Sequence, residues 1–357
     1  MQNRVTVYGR RNKVSYTTDL GIHATPAVRP PESDGLGRDD VRLLVLDRET
    51  GAFQHRHFKS IADTFQPGDV LVVNNSVTIP AALPATVGGA LHRLHLAARL
   101  DEKQALVELR TWEGGPDGSI LAPGTSCVVH DETGAPKSRG RIERHFHPRS
   151  RFWVVATESD WYALAPHVGR PIRYHYVDHP YPISTYETLF GRIPGSSEMP
   201  SASRPFTKET LHRLRKRGVE IVELTLHTTV SSHEVMDGEV DPPLVPEWFN
   251  IPEGTQETVQ AARAAGRSVV ALGTTVVRAL ETWSYQGTTR GWTTHLVTPD
   301  TPPRLVSGLI TGLHDNFTSH LWLLYAFLDP EQLREAYRDA ERSGYRWHEF
   351  GDLSMIR

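Results

Sequence analysis

The feature that most constrains this chain is an interrupted pattern. Short apolar strands alternate with helical segments up to about residue 78 and again from about residue 176, and a stretch of a different kind lies between. Residues 43–46 read as an apolar strand, Glu49-Thr50-Gly51 as a turn, and residues 53–58 as the returning strand of a hairpin. Pro67-Gly68-Asp69 then precede a second apolar run, 70–73, that enters Asn74-Asn75-Ser76. Beyond the break, "TKETLHRLRKRG" reads as a helix capped by Thr207 and ended by Gly218. Residues 219–228 alternate as a strand, and 255–266 read as a helix. Residues 268–272 form a buried strand, and Gly273-Thr274-Thr275 turn tightly into a helix over 276–287. Residues 304–314 are strand-like, and two helical segments follow. Within 79–175 the runs "ALHRLHLAARL", "QALVELRTW", "TSCVVHD", "RGRIERHF" and "RFWVVATES" are separated by Gly-, Pro- and Asp-rich clusters at roughly 8–12-residue spacing, the signature of a small antiparallel barrel or sandwich. The expected architecture is therefore an α/β (α+β) main domain made of residues 1–78 and 176–357, with a small antiparallel β-barrel domain, 79–175, inserted into it. Residues 1–40, punctuated by prolines, read as an extended arm.

Composition narrows the function classes. The 357 residues carry 39 Lys+Arg against 42 Asp+Glu, a net charge of −3, so no basic excess marks a nucleic-acid binder, although a local patch such as Arg213, Arg215, Lys216 and Arg217 stays open. That patch reads equally as the solvated face of a helix. A lone cysteine, Cys127, excludes an intramolecular disulfide and a cysteine-based zinc site. No run of about 18 apolar residues is present, and the N-terminal segment lacks the pattern of a secretory signal, so a cytoplasmic protein without membrane contact is expected.

Gly273-Thr274-Thr275 stands between a buried strand and a helix. The free N–H groups and dipole of a helix's first turn attract anions, and Arg278 lies one turn further on, so Gly273, Thr274, Thr275 and Arg278 form a candidate seat for a carboxylate or phosphate. The plainer reading is a threonine N-cap on an ordinary strand–helix turn. Of 18 histidines, His92, His95, His145 and His147 fall in the inserted region and read as surface or pairing residues. His227 and His314 each end a strand, where sites of α/β domains assemble, and are the candidate catalytic residues. Each is equally a satisfied structural histidine. No His-x-x-x-His with glutamate, Gly-x-Ser-x-Gly elbow, P-loop or three-glycine dinucleotide fingerprint occurs, and no metal is expected.

Taken in order, "RLLVLDRETGAFQHRHF", "PGDVLVVNNSVTIPAAL", "YETLFG", "PSASRPFTKETLHRLRKRGVEIVELTLHT", "VALGTTVVRALE", "LITGLH" and "YRWHEFGDLSMI" resemble the S-adenosylmethionine:tRNA ribosyltransferase-isomerase family of queuosine biosynthesis, over nearly the whole chain from residue 42 onward. The resemblance implies an α/β domain with an inserted barrel. It also implies transfer of the ribosyl part of S-adenosylmethionine, used as a co-substrate, to a 7-aminomethyl-7-deazaguanine base in tRNA, with release of methionine and adenine. A sulfonium acidifies the adjacent C5′ protons, so a modest base suffices to start such a reaction. The protein is expected to act as a monomer or weak homo-oligomer.

Several positions depart from the family pattern. Its Asn-Asp-Thr-Arg is Asn74-Asn75-Ser76-Val77 here, and Ser203, Arg204 and Pro205 stand where the family has another loop sequence containing Gly and His. Its glycine-rich element after the strand is replaced by Thr228-Thr229-Val230-Ser231-Ser232-His233. The following His-x-Met-His-x-Glu has no match, and its Asn before Phe-His is Gly312. "GTTVVRALE", His227, His314 and Gly351-Asp352 are retained. The resemblance places Asn75, Ser201, Ser203, Arg204, Phe206 and Thr311 on the substrate side. The lost charges at Asn75 and Val77 predict little or no turnover of tRNA carrying that base, with S-adenosylmethionine binding retained. A paralogue acting on a small-molecule acceptor, or a non-catalytic binding protein, would also fit these losses.

Overall fold

The fold, obtained as a computed structural model, describes residues 18–148, 150–230, 235–236, 239–240 and 245–357. The substituted Ser231-Ser232-His233 element lies outside these. From its start the chain forms β1 (Arg42–Leu46), β2 (Phe53–His57), β3 (Val70–Asn74) and β4 (Ser76–Thr78). It then forms β5 (Ala82–Val87), β6 (Ala90–Arg99), β7 (Gln104–Thr111), β8 (Ser126–His130), β9 (Pro136–His145) and β10 (Phe152–Thr157). Helix α1 (Trp161–Val168) and β11 (Ile193–Ser196) lead back, followed by α2 (Lys208–Lys216), β12 (Glu220–Leu226), β13 (Val235–Met236), β14 (Glu239–Val240) and β15 (Glu247–Asn250). The remainder is α3 (Glu253–Ala264), β16 (Val269–Leu272), α4 (Thr274–Gln286), β17 (Arg290–Thr293), β18 (Gly308–Gly312), α5 (Ser319–Tyr325), α6 (Pro330–Arg342) and β19 (Leu353–Ile356).

Among the described residues, nine strands form the main sheet in the order β17-β15-β12-β3-β16-β18-β19-β1-β2, and β5 to β10 close into a six-stranded antiparallel barrel. The expected fold class, a mixed α/β unit carrying an antiparallel barrel, is what the chain adopts. β12, β3, β16 and β18 run parallel, so their C-terminal ends lie at one edge. β3, β16 and β18 are buried at every position, as strands covered on both faces must be. One face packs against α3 to α6 through residues such as Val259, Val277, Leu280, Trp322 and Tyr337; the other packs against Phe58, Ile61, Phe206 and Leu214. The barrel keeps a separate apolar core, and its strand β9 alternates outward Lys137, Arg139 and Arg141 with inward Ser138, Gly140 and Ile142. The chain leaves the main sheet through β4 and returns through β11, and these two segments pair in parallel, so exit and re-entry share one point.

The N-terminal segment is better anchored than an extended arm: Leu20 and Ile22 are buried in the main core, and Pro26 bridges to Trp347. No helix among the described residues is long and apolar enough to cross a membrane.

Candidate functional site

A cavity of about 1030 Å³ opens between the barrel and the main sheet, at the upper end of the range of roughly 300–1,000 Å³ for small-molecule sites. A deeper pocket of about 180 Å³ adjoins it, the two sharing Glu198, Met199, Ser201, His314 and His320. The pocket sits where β16 and β18 end, the usual place for a site in a parallel sheet.

The entry into α4 explains the pocket's character. Gly273 takes φ 91°, a backbone conformation that L side chains rarely adopt, and so makes the whole turn by itself. Thr274 and Thr275 are therefore the first helical residues rather than turn or cap residues, which corrects the expected helix start at 276. No side chain caps this helix, whereas Asp160, Thr207 and Asp329 cap α1, α2 and α6. An uncapped first turn facing a cavity is a ready anion site. Arg278 is not a free cation beside it. Its guanidinium pairs with the buried carboxylate of Glu247 and donates from Nε to the His295 carbonyl at 3.2 Å. Glu247 in turn accepts from the Thr229 backbone N–H at 3.1 Å.

Imidazoles line the other side. His314 Nε2 lies 2.9 Å from Thr311 Oγ1, and its ring stacks 4.5 Å from that of His320. Burial, reinforced by the neighbouring histidines, holds His314 well below the usual histidine range; burial and then Arg278 bring His320 down to about 4. Both rings are neutral near pH 7 and able to donate and accept. Farther out, His348 sits 3.3 Å from Asp315 and stacks on Tyr176 at 4.6 Å; Tyr176 stacks on Tyr174 at 5.6 Å. Tyr174 donates to Glu198 and Tyr176 to Glu349, whose carboxyl is pushed up by burial. His348 (φ 73°) and Phe317 (φ 59°) are the non-glycine residues with positive φ among the described residues, and both line this cavity. Strained backbone of this kind gathers at functional sites. A wall of stacked rings suits a planar base.

The pocket gathers Gly273, Thr274, Thr275, Arg278, Ser201, Thr311 and His314 from the sequence-derived set. The other members lie elsewhere. Asn75 is spent inside the sheet, donating to Glu223 at 3.2 Å and accepting from Thr225 at 2.7 Å. Arg204 is 2% exposed. It grips both oxygens of Glu32 at 2.9 and 3.0 Å, donates to the Thr185 carbonyl, and lies over the Phe350 ring, so its charge is engaged within the fold and it lines neither cavity. Phe206 is core, between Phe58 and Phe190, and Ser203 is buried beside it. The tight turn Ser201–Ser203 brings Ser201 and Ala202 to the pocket but not Ser203.

His227 also departs from expectation. It does not share a cavity with His314. It lines a separate space of about 670 Å³ with Trp248, Trp292 and Tyr162. Its Nδ1 lies 2.7 Å from Ser76 Oγ, its ring stacks on Trp248 at 5.4 Å, and burial lowers it to about 4. Sequence reasoning missed His320, His348, Tyr174, Tyr176, Glu198 and Glu349. Of these, His348 and Glu349 lay within a quoted motif, "YRWHEFGDLSMI".

Known proteins resemble this chain over most of its length. The profile of the family described as "Queuosine biosynthesis protein" matches residues 18–356. A protein of Thermus thermophilus named S-adenosylmethionine:tRNA ribosyltransferase-isomerase is 34% identical, over 94% of this chain and 99% of that one. Its counterpart of the same name in Thermosynechococcus vestitus is 31% identical over 96% of each chain. The crystal structure of S-adenosylmethionine tRNA ribosyltransferase from Thermotoga maritima superposes with a TM-score of 0.51 at 27% identity, over 93% of this chain and 96% of that one. On the length of these matches, the chain belongs to the queuosine biosynthesis protein family that they represent.

Proposed function

We propose that the protein transfers the ribosyl part of S-adenosylmethionine to tRNA, as the names of its relatives imply, that the acceptor is the 7-aminomethyl-7-deazaguanine base to which the sequence resemblance points, and that the paired cavities are where it does so. The observation that carries this reading is the uncapped first turn of α4, opening into a pocket with neutral imidazoles that in turn opens onto a ring-lined cavity. The N–H groups of Thr274 and Thr275 and their hydroxyls receive the methionine carboxylate. Arg278, tied to Glu247, holds the floor of that seat more than it supplies net charge. His314, kept neutral and fixed by Thr311, is the group that takes a proton from the carbon next to the sulfonium, with His320 stacked behind it. Tyr174, Tyr176 and His348 form the platform for the incoming base, and the barrel closes the cavity from the other side. Water would compete with the acceptor amine, so enclosure is itself part of the chemistry.

The experiment is mass spectrometry of the products from enzyme, S-adenosylmethionine and tRNA carrying that base. Adenine and methionine with an epoxycyclopentane nucleoside in the digested tRNA are expected. S-adenosylhomocysteine or methylthioadenosine as the released fragment would overturn the reading.

A further inference from the structure

We propose that the outer face of β6 and β7, continuing past the mouth of the large cavity, is the surface that holds the phosphodiester backbone of the RNA whose base enters that cavity; this inference rests on the RNA-modifying reading above.

Strand register fixes which side chains face outward. Leu94 pairs with Leu109, and both are buried in the barrel's interior, so the flanking pairs Arg93–Arg110 and His95–Glu108 point the other way. Arg93 stands directly opposite Arg110. Like charges so placed destabilise a strand pair, and nothing in the barrel's packing calls for it. Glu108, 2% exposed, is shared by two guanidiniums: Arg110 at 2.9 Å and Arg151 at 2.6 Å. Both arginines line the large cavity, and the buried Nε of Arg110 has no hydrogen-bond partner. One carboxylate thus organises two cations at the cavity's lip and leaves a positive charge in excess.

The track continues outward. Arg93 donates from Nε to the Trp112 carbonyl at 2.8 Å and lies 4.5 Å over the indole, which holds its fork rigidly. Arg93 also feels the charges of Arg170 and Arg173, with Glu113 as the opposing acid. Arg170 pairs with Glu132, both side chains exposed. Five arginines therefore face three carboxylates, in a chain whose net charge is −3. Trp112 itself is 41% exposed. Arginines in a line with an open indole among them are what a single-stranded nucleic acid requires: forks for phosphates and a ring on which a base stacks. An acidic protein surface would use the cations but leave the indole without purpose.

The test is fluorescence anisotropy with a fluorescein-labelled tRNA carrying 7-aminomethyl-7-deazaguanine, titrated at several salt concentrations. Arg93→Ala/Arg170→Ala, which lies outside both cavities, should weaken binding by about tenfold near 0.1 M salt and flatten the log–log salt slope by about one. Trp112→Ala should weaken binding by about fivefold and leave the slope unchanged. Arg93→Lys/Arg170→Lys should keep the wild-type slope. S-adenosylmethionine affinity by calorimetry and the melting temperature should stay at wild-type values throughout. If the wild type modifies the RNA and the folded alanine variant binds it with unchanged affinity and slope, this inference fails and the proposed function stands. If the wild type neither binds nor modifies the RNA, both fall.

Discussion

His227 and His314 carry the same sequence signature, a histidine just past the end of a parallel strand, and the structure sets them in different surroundings. β12 and β18 end at the same edge of the sheet, three strand positions apart. His314 finds Thr311, His320 and the open turn of α4, and lines the deeper pocket. His227 finds Ser76 on one ring nitrogen and Trp248 on its face, in a space whose helix N-terminus, that of α1, is already capped by Asp160. Gly195 lies so close that a Cβ there would come within 2.5 Å of the His227 ring, so the imidazole is clamped. Both are neutral for the same reason, burial. On the proposed function, what would separate a working imidazole from a structural one is the company its ring keeps, not its place in the chain.

The sharpest way to break this comparison is to remove each ring. His314→Gln should lower turnover by about 10²–10⁴, the usual contribution of a positioned acid or base, with S-adenosylmethionine binding changed far less; His227→Gln should lower it less than about tenfold. Equal losses in steady-state turnover would erase the distinction. Next in size is the ion pair beneath the pocket. Arg278→Ala leaves Glu247 buried without its partner and should cost about 3–5 kcal/mol of stability in denaturant titration. Glu247→Gln/Arg278→Met should recover most of that and still bind S-adenosylmethionine, because the helix turn supplies the anion seat. Loss of binding in the recovered double variant would return the seat to Arg278.

Acidification treats both sites alike. His227 and His320 are lowered to about 4 in the folded protein, against roughly 6.5 in the unfolded chain. The unfolded chain therefore binds more protons between these values. The stability tied to each neutral ring is fully present above about pH 6.5 and is lost as pH falls toward 4, on the order of 3 kcal/mol per histidine at most. Melting temperatures should fall over that window, and either glutamine variant should flatten the fall. A smaller effect is expected at Gly273→Ala: roughly 1–2 kcal/mol from the left-handed backbone, seen as a lower melting temperature with weakened S-adenosylmethionine binding. The smallest is Asn75→Asp, which restores the family's acid inside the sheet, away from both cavities. Turnover of the modified base should stay within about threefold of wild type.

Much of this was legible in the sequence. Turn clusters at barrel spacing announced β5 to β10, and the strand-turn-helix around Gly273 announced the pocket that the fold builds there. The rest depended on partners distant in sequence. Arg204 beside Phe206 reads as a substrate ligand until Glu32 is seen to close on it from the far end of the chain. Asn75 reads as a lost acceptor contact until Glu223 and Thr225 take up its amide. Tyr174 and Tyr176 lie in an irregular stretch after α1, where no period signals that two rings will stack in parallel at a cavity wall. Strand periodicity tells which face a side chain takes, but not which strand ends meet across a cavity.

The placement of β19 has a consequence for how the molecule assembles itself. It lies inside the sheet, antiparallel to β18 and parallel to β1, with Leu43 opposite Leu353. The barrel, by contrast, is built mostly from strands close in sequence, such as β5 with β6 and β6 with β7. Local pairings close quickly, and distant ones wait on slow loop closure. As the chain is synthesised, the barrel can close early, while β1 and β2 lack the strand that joins them to the rest until residues 353–356 arrive. An exposed sheet edge therefore persists during synthesis, and holding that edge apart from other chains is a task the folded enzyme no longer has.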